Sequence, residues 1–315
     1  MQILYATGFN AWGQLQMTVE SKEEPDDFET FTRVLDARSI TLIRPSLTYT
    51  MVVTSERTVT AGVLPVANAT GYLHIAEALN GRVVVHNEKD GALRQYQSVV
   101  ELAEEGEFTC FPGFPDVVQI VAYSVGFAVL TTGGCVWTWG DARFPECLGR
   151  AVSQSPAHIP GRVTALEDLP TGPIVKLAAG GYVLAALTKG HDLYCWGGYP
   201  GQQSAVLDGL TGEPVPVIVS VGATDRDADQ IDEAEIVDVG VGENHMIVLT
   251  ADGTVCGIGS NGNGQLGLGR ERQSAMQSNV STAWTKVSGI TSERGERVTG
   301  VYAGPRSSFI VVTRE

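Results

Sequence analysis

The chain has no long apolar run. Nowhere in its 315 residues do about 18 consecutive apolar positions occur, so no membrane-spanning helix is expected. The opening MQILYATGFNAWGQL lacks a basic stretch and a long apolar core, so a secretion signal is not expected and the compartment implied is reducing, cytoplasm or nucleus. Cysteine is scarce. The five, at 110, 135, 147, 195 and 256, are odd in number and contain no CxxC pair, which argues against a disulfide framework or a thiolate metal site. Cys135, Cys195 and Cys256 fall in expected strands and read as small buried apolar residues. Basic residues are also few, 21 against 36 acidic, and the net charge of −15 repels phosphate, so neither nucleic acid nor an anionic membrane is expected as a partner.

Glycine, by contrast, is abundant at 37 residues, and 43% of the chain is apolar, a composition suited to many short strands joined by tight turns. Residues 236–269, IVDVGVGENHMIVLTADGTVCGIGSNGNGQLGLG, show the pattern in full. A first strand ends in Gly, and a nearly continuous apolar second strand ends in Leu249-Thr250. A hairpin turn at Ala251-Asp252-Gly253 leads to a third strand, a Ser-Asn-Gly turn and Gln265-Leu266-Gly267. Aligned on the Leu-Thr pair, further copies start near 40, 75, 118, 174 and 298, with a later period of about 60 residues, the size of a propeller blade with one long connection. The copy at 298 is split. Residues 297–315 hold its first two strands, and residues 1–16 hold its third strand and turn, so the chain ends are expected to pair and close a single domain over 1–315. Leu266 is expected to plug the gap between neighbouring sheets, with Trp139 and Trp196 in the core.

These residues resemble the regulator-of-chromosome-condensation repeat family. The resemblance rests on Gly242-x-x-His245, on Leu249-Thr250-x-Asp252-Gly253 and on Gly259-x-Asn261-x-x-Gly264-Gln265-Leu266-Gly267. It recurs at Trp139-Gly140, at Trp196-Gly197 and at Gly8-x-Asn10-x-x-Gly13-Gln14-Leu15. It implies an all-β, RCC-type β-propeller closed by its N- and C-terminal strands. Seven blades are usual for the family, and six are readable here. The layout is similar to small members that act without catalysis as partners of a JmjC-type oxygenase in chromatin, or of a small zinc protein that supplies electrons for diphthamide synthesis. Fold alone does not transfer function.

Few residues suggest chemistry. Gly262 to Gly267 matches GxGxxG, but a dinucleotide site needs a strand before it and a helix after it, and here the repeat pattern continues instead. The histidines are isolated. His245 reads as a structural side chain between blades, and His74, His86, His158 and His191 have no partner at metal spacing. No nucleophile elbow is present, and no catalytic residue, metal or cofactor is expected. The acidic clusters ESKEEPDDFE (20–29), ELAEEGE (101–107) and DRDADQIDEAE (225–235) fall in connections between repeats, where a rigid scaffold carries its binding sites. Asp225, Asp227, Asp229 and Asp232, together with Glu23, Glu24, Asp26 and Asp27, are therefore the candidate contacts for a protein partner with a basic surface. Trp12, on the Gly8–Gly13 turn, is the candidate aromatic anchor. The expected role is a monomeric protein-interaction scaffold that binds through face loops; the alternative is a guanine-nucleotide exchange factor for a small GTPase.

Overall fold

The structure is a computed structural model that describes residues 1–17, 25–64, 72, 74–153, 155–199, 206–220, 233–270, 279–290 and 295–314. Among them the backbone forms six antiparallel sheets, one for each readable repeat. A seventh sheet, which the family resemblance led us to expect, is not found among the described residues.

Two compact units are present. The first holds Met1–Leu64, Ala205–Leu207 and Ile218–Glu315. One of its sheets has three strands, β3 (Ile40–Pro45), β4 (Tyr49–Thr54) and β5 (Thr58–Gly62). Another runs β18 (Ile236–Val241), β19 (His245–Thr250), β20 (Val255–Ser260), β21 (Val280–Lys286). In the third, β1 (Gln2–Gly8) lies between β2 (Phe28–Ala37) and β23 (Ser307–Arg314), with β22 (Glu296–Ala303) beyond β23. The chain ends thus pair as the split repeat requires. β1 is the third strand of a sheet whose first two strands come from the far end, in register from Gln2 opposite Thr313 to Gly8 opposite Ser307.

The second unit holds Pro65–Ser204 and Asp208–Val217. Its sheets are β6 (Ile75–Glu77), β7 (Val83–Asn87), β8 (Ala92–Tyr96), β9 (Thr109–Phe111); then β10 (Val117–Tyr123), β11 (Gly126–Thr131), β12 (Val136–Gly140), β13 (Gly161–Arg162); then β14 (Ile174–Gly180), β15 (Val183–Thr188), β16 (Leu193–Gly197), β17 (Val215–Pro216). The acidic stretch at 101–107 lies between β8 and β9, inside a sheet's connection rather than between repeats. Its start belongs to a short helix, Val99–Ala103, because Ser98 Oγ accepts the Glu101 N–H at 3.1 Å and Glu101 Oε2 accepts the Gln97 N–H at 2.9 Å.

Second strands are largely apolar because both their faces are buried. Every residue of Gly126–Leu130, Val183–Thr188 and His245–Thr250 is buried. Leu266 is fully buried among Ile3, Ile247, Leu249, Val301 and Ile310, between the β18–β21 sheet and the terminal sheet. Leu15 does the same for the terminal sheet and the β3–β5 sheet, among Leu4, Ile43, Val52, Phe309 and Val311. Trp139 and Trp196 are buried, and their indole N–H groups donate to Gln95 Oε1 (2.8 Å) and the Cys147 carbonyl (3.2 Å). Cys195 and Cys256 are buried, with burial lifting Cys256 to about 11. Cys135 is half-buried, accepting from Arg162 at 3.2 Å.

His245 is fully buried, and its Nε2 lies 2.9 Å from Ser308 Oγ on the neighbouring sheet. Gly242 is what makes room for it: a Cβ there would collide with the imidazole ring. Two repeats earlier the exchange is reciprocal. Tyr123 stands at the Gly242 position and Gly126 at the His245 position, and a Cβ on Gly126 would collide with the Tyr123 hydroxyl, which donates to the Trp139 carbonyl at 3.1 Å. In these two repeats one large polar side chain fills the space, from either end of the hairpin turn.

Burial pushes His245 down to about 4 from its ordinary 6.5. Its folded state therefore favours the neutral ring. Stability from this site is complete above about pH 6.5 and is lost as pH falls through about 4, at up to about 1.4 kcal/mol per pH unit. Urea unfolding of the wild type and of His245→Gln, measured from pH 7.5 to 4.5, should show the wild type losing its advantage across that window. A constant difference would place the histidine's titration outside the folding reaction.

Candidate interaction surface

The first unit carries two copies of the Asn-x-x-Gly-Gln-Leu turn, and their internal bonds explain the motif. Asn10 Oδ1 accepts the Leu15 N–H at 2.9 Å, and Asn261 Oδ1 accepts the Leu266 N–H at 2.8 Å. Gln14 Oε1 accepts the Trp12 N–H at 3.0 Å, and Gln265 Oε1 accepts the Asn263 N–H at 2.9 Å. The Gly13 and Gly264 N–H groups donate to the Asn10 and Asn261 carbonyls, at 2.8 and 3.0 Å. In the GxGxxG stretch, the N–H groups of Asn263, Gly264, Leu266 and Gly267 are thus engaged within the turn and are not free to cradle a phosphate. The glycines serve the turn itself: Gly264 and Gly267 have φ of +79° and +66°.

Asp27 clasps the two turns together. Its Oδ1 accepts the Asn10 N–H at 2.8 Å and its Oδ2 accepts Asn263 Nδ2 at 2.8 Å, linking positions 236 residues apart. Asn10 Nδ2 donates to the Asp26 carbonyl at 3.0 Å. Thr7 Oγ1 spans the same gap, within hydrogen-bond distance of the Phe28 carbonyl (2.7 Å) and the Gly264 carbonyl (2.8 Å).

Three of the residues singled out in the sequence are brought to this place. Trp12 is 49% exposed on a turn held by its own backbone N–H. Asp26 is exposed, its backbone carbonyl pinned by Asn10. Asp27 is half-buried, with both oxygens used inside the fold. Glu23 and Glu24 directly precede this segment, and with Asp225, Asp227, Asp229 and Asp232 they lie outside the described residues. Among the described residues no group of three metal-ligating side chains converges.

A second exposed cluster escaped the sequence reading. In the second unit, Phe144, Tyr182 and Tyr199 pack with ring centroids 5.0 to 5.4 Å apart, and Tyr199 is 42% exposed. Cys147, buried beneath, bonds the Tyr182 and Gly198 carbonyls through Sγ at 3.4 and 3.8 Å, and burial lifts its thiol to about 12. Beside the rings, Arg143 pairs with Asp141 at 2.6 Å and holds that carboxyl down to about 2. The only sequence signal was a recurrence: an aromatic a few residues beyond each Trp-Gly pair, Phe144 after Trp139-Gly140 and Tyr199 after Trp196-Gly197.

With the sheets and turns in view, the comparisons with known proteins agree. Residues 236–265 match the regulator of chromosome condensation (RCC1) repeat. Half of the chain is 29% identical to 34% of the regulator of chromosome condensation of Mus musculus, over 159 residues. A similar share is 28% identical to 32% of the RCC1 domain-containing protein RUG3, mitochondrial, of Arabidopsis thaliana. The chain spans about a third of the length of these curated relatives. Among solved structures, Prp20p from Saccharomyces cerevisiae superposes over the whole chain and 92% of its own, with a TM-score of 0.67 at 12% identity. Human WBSCR16 does so over 99% of its length, with a TM-score of 0.59 at 15% identity. The fold is an all-β propeller, with six blades among the described residues. The chain carries one RCC1 repeat and is similar in sequence and fold to RCC1-type β-propellers.

The clasp has a measurable signature. Replacing Asp27 with Ala leaves the Asn10 N–H and the Asn263 amide without their acceptor and should cost about 1–3 kcal/mol in urea unfolding. Asp26→Ala keeps the backbone carbonyl and should stay within about 0.5 kcal/mol of wild type. Equal costs at the two positions would remove Asp27 from its clasping role.

Proposed function

We propose that this protein is a binding module, without catalysis of its own, in which residues 1–315 act as one propeller domain and hold a basic protein partner on acidic and aromatic turns. One observation carries the reading: the exposed Trp12 sits on a turn clasped to the segment of Asp26 and Asp27, a rigid aromatic anchor beside acidic side chains. Asp225, Asp227, Asp229, Asp232, Glu23 and Glu24 would extend that acidic surface, and the net charge of −15 would speed encounter with a cationic partner. Prp20p, similar in fold, has binding properties to Gsp1p and histones, so a propeller of this architecture presents protein-binding surfaces. By analogy with small family members, the partner class is a JmjC-type oxygenase or a small zinc protein, in the cytoplasm or nucleus.

The second reading, exchange factor for a small GTPase, is supported by the same likeness to Prp20p and its binding to Gsp1p. The two readings separate in one set of experiments. Affinity purification of tagged wild type from its own cells should yield a stoichiometric partner. Its binding should weaken at higher salt and fall at least tenfold, about 1.4 kcal/mol, in a Trp12→Ala, Asp26→Lys variant and in one reversing Asp225, Asp227, Asp229 and Asp232 to Lys. Unchanged binding in both variants sinks the acidic-surface reading. Accelerated nucleotide release from a co-purifying GTPase would establish the exchange factor instead.

A further inference from the structure

Among the described residues, one blade is a strand short. In five sheets the third strand is paired on its outer side by a fourth, whereas among the described residues the β3–β4–β5 sheet stops at β5. Register shows what β5 presents. Thr54 N–H donates to the Arg57 carbonyl and Val63 N–H to the Thr48 carbonyl, so Arg57, Val59, Ala61 and Val63 face β4 through their backbone. Thr58, Thr60 and Gly62 therefore direct their N–H and C=O groups outward. Thr58 and Thr60 are exposed, and Val63 just beyond is 55% exposed. Thr58–Gly62 contains no Pro, Lys or other charge to guard the edge, and its pairing with β4 has no bulge.

The other blades define the occupant. Counting from the pair that opens each hairpin (Val53–Thr58, Leu130–Val136, Leu187–Leu193, Leu249–Val255), Thr58 corresponds to Val136, Leu193 and Val255. The carbonyl of each of these three accepts a backbone N–H from the fourth-strand side, at 2.8 to 2.9 Å, and the donor is each time a valine: Val163, Val217 and Val287. The residue before that valine, opposite the position of Val59, is Arg162, Pro216 or Lys286. In two of these sheets the paired fourth strand is only two residues long, so a short segment suffices.

We propose that the outer edge of β5 is a docking strand for an extended segment of a protein partner, added antiparallel, with a valine-like residue whose N–H bonds the Thr58 carbonyl and a basic residue before it. The blade architecture supplies the slot, and the chain's net charge of −15 favours the cation. The site uses none of the acidic turns, so it stands or falls apart from the function proposed above.

A fluorescein-labelled peptide with the sequence of residues 157–166, AHIPGRVTAL, is the probe, titrated against the full chain by anisotropy. Saturable binding is expected below about 1 mM, weakened at least tenfold when the peptide's valine is N-methylated and when the protein carries Thr60→Pro, which removes an outward N–H but no bond to β4. The N-methylated peptide decides the matter even if the proline variant does not fold. Absence of saturable binding to the wild type, or equal binding of the N-methylated peptide, overturns the proposal. So does a dimer in sedimentation that is lost in Thr60→Pro, which would give the edge to a second copy.

Discussion

The antiparallel pairing of β1 with β23 is the constraint on which the first unit depends. It joins Gln2–Gly8 to Ser307–Thr313 at the other end of the chain, residue by residue and without a register shift. Loop closure over such a separation is costly, and nothing local offsets it. The return comes from what the pairing places. Ile3 and Leu4 point to opposite faces of the sheet and enter two different cores, one with Leu266 and one with Leu15. Thr7 reaches the Phe28 and Gly264 carbonyls, and Asp27 immediately precedes β2, the strand paired to β1's outer side. Without β1 in register, both plugs lose a wall and the clasp between the two turns loses its base.

Much of this was legible in the chain, because the repeat is built from short-range chemistry. The Leu-Thr pair, the Asp-Gly hairpin and the Asn-x-x-Gly-Gln-Leu turn each satisfy their own backbone groups, so they leave a local signature wherever they occur. The split repeat followed from the same signatures. The likeness in the 118–149 copy was harder to see, since Tyr123 and Gly126 exchange the places held by Gly242 and His245. The conserved quantity is a filled volume and not a residue. The fourth strands were hardest. β13 and β17 are two residues each, too short for any period, and only their bonds to the third strand define them. The seventh blade was an expectation of family resemblance and had no residues of its own to support it.

The acidic residues show where sequence reasoning stops. Asp26 and Asp27 are adjacent and look alike as a charged surface, yet the fold consumes both oxygens of Asp27 and leaves Asp26 exposed. A cluster of like charges therefore mixes groups that build the scaffold with groups a partner could meet. The aromatic cluster of Phe144, Tyr182 and Tyr199 assembles from three separate turns, so no window of sequence contains it. In both places a rigid turn, fixed by its own hydrogen bonds, presents an exposed ring, an arrangement that lowers the entropic cost of binding.

Native-state hydrogen exchange of the β1 amides tests the central claim most directly. If β1 is integral to the terminal blade, its amides exchange only with global opening, at the same protection as those of β23 and β19. Exchange of β1 through a separate local opening, orders of magnitude faster while β23 stays protected, would contradict the account.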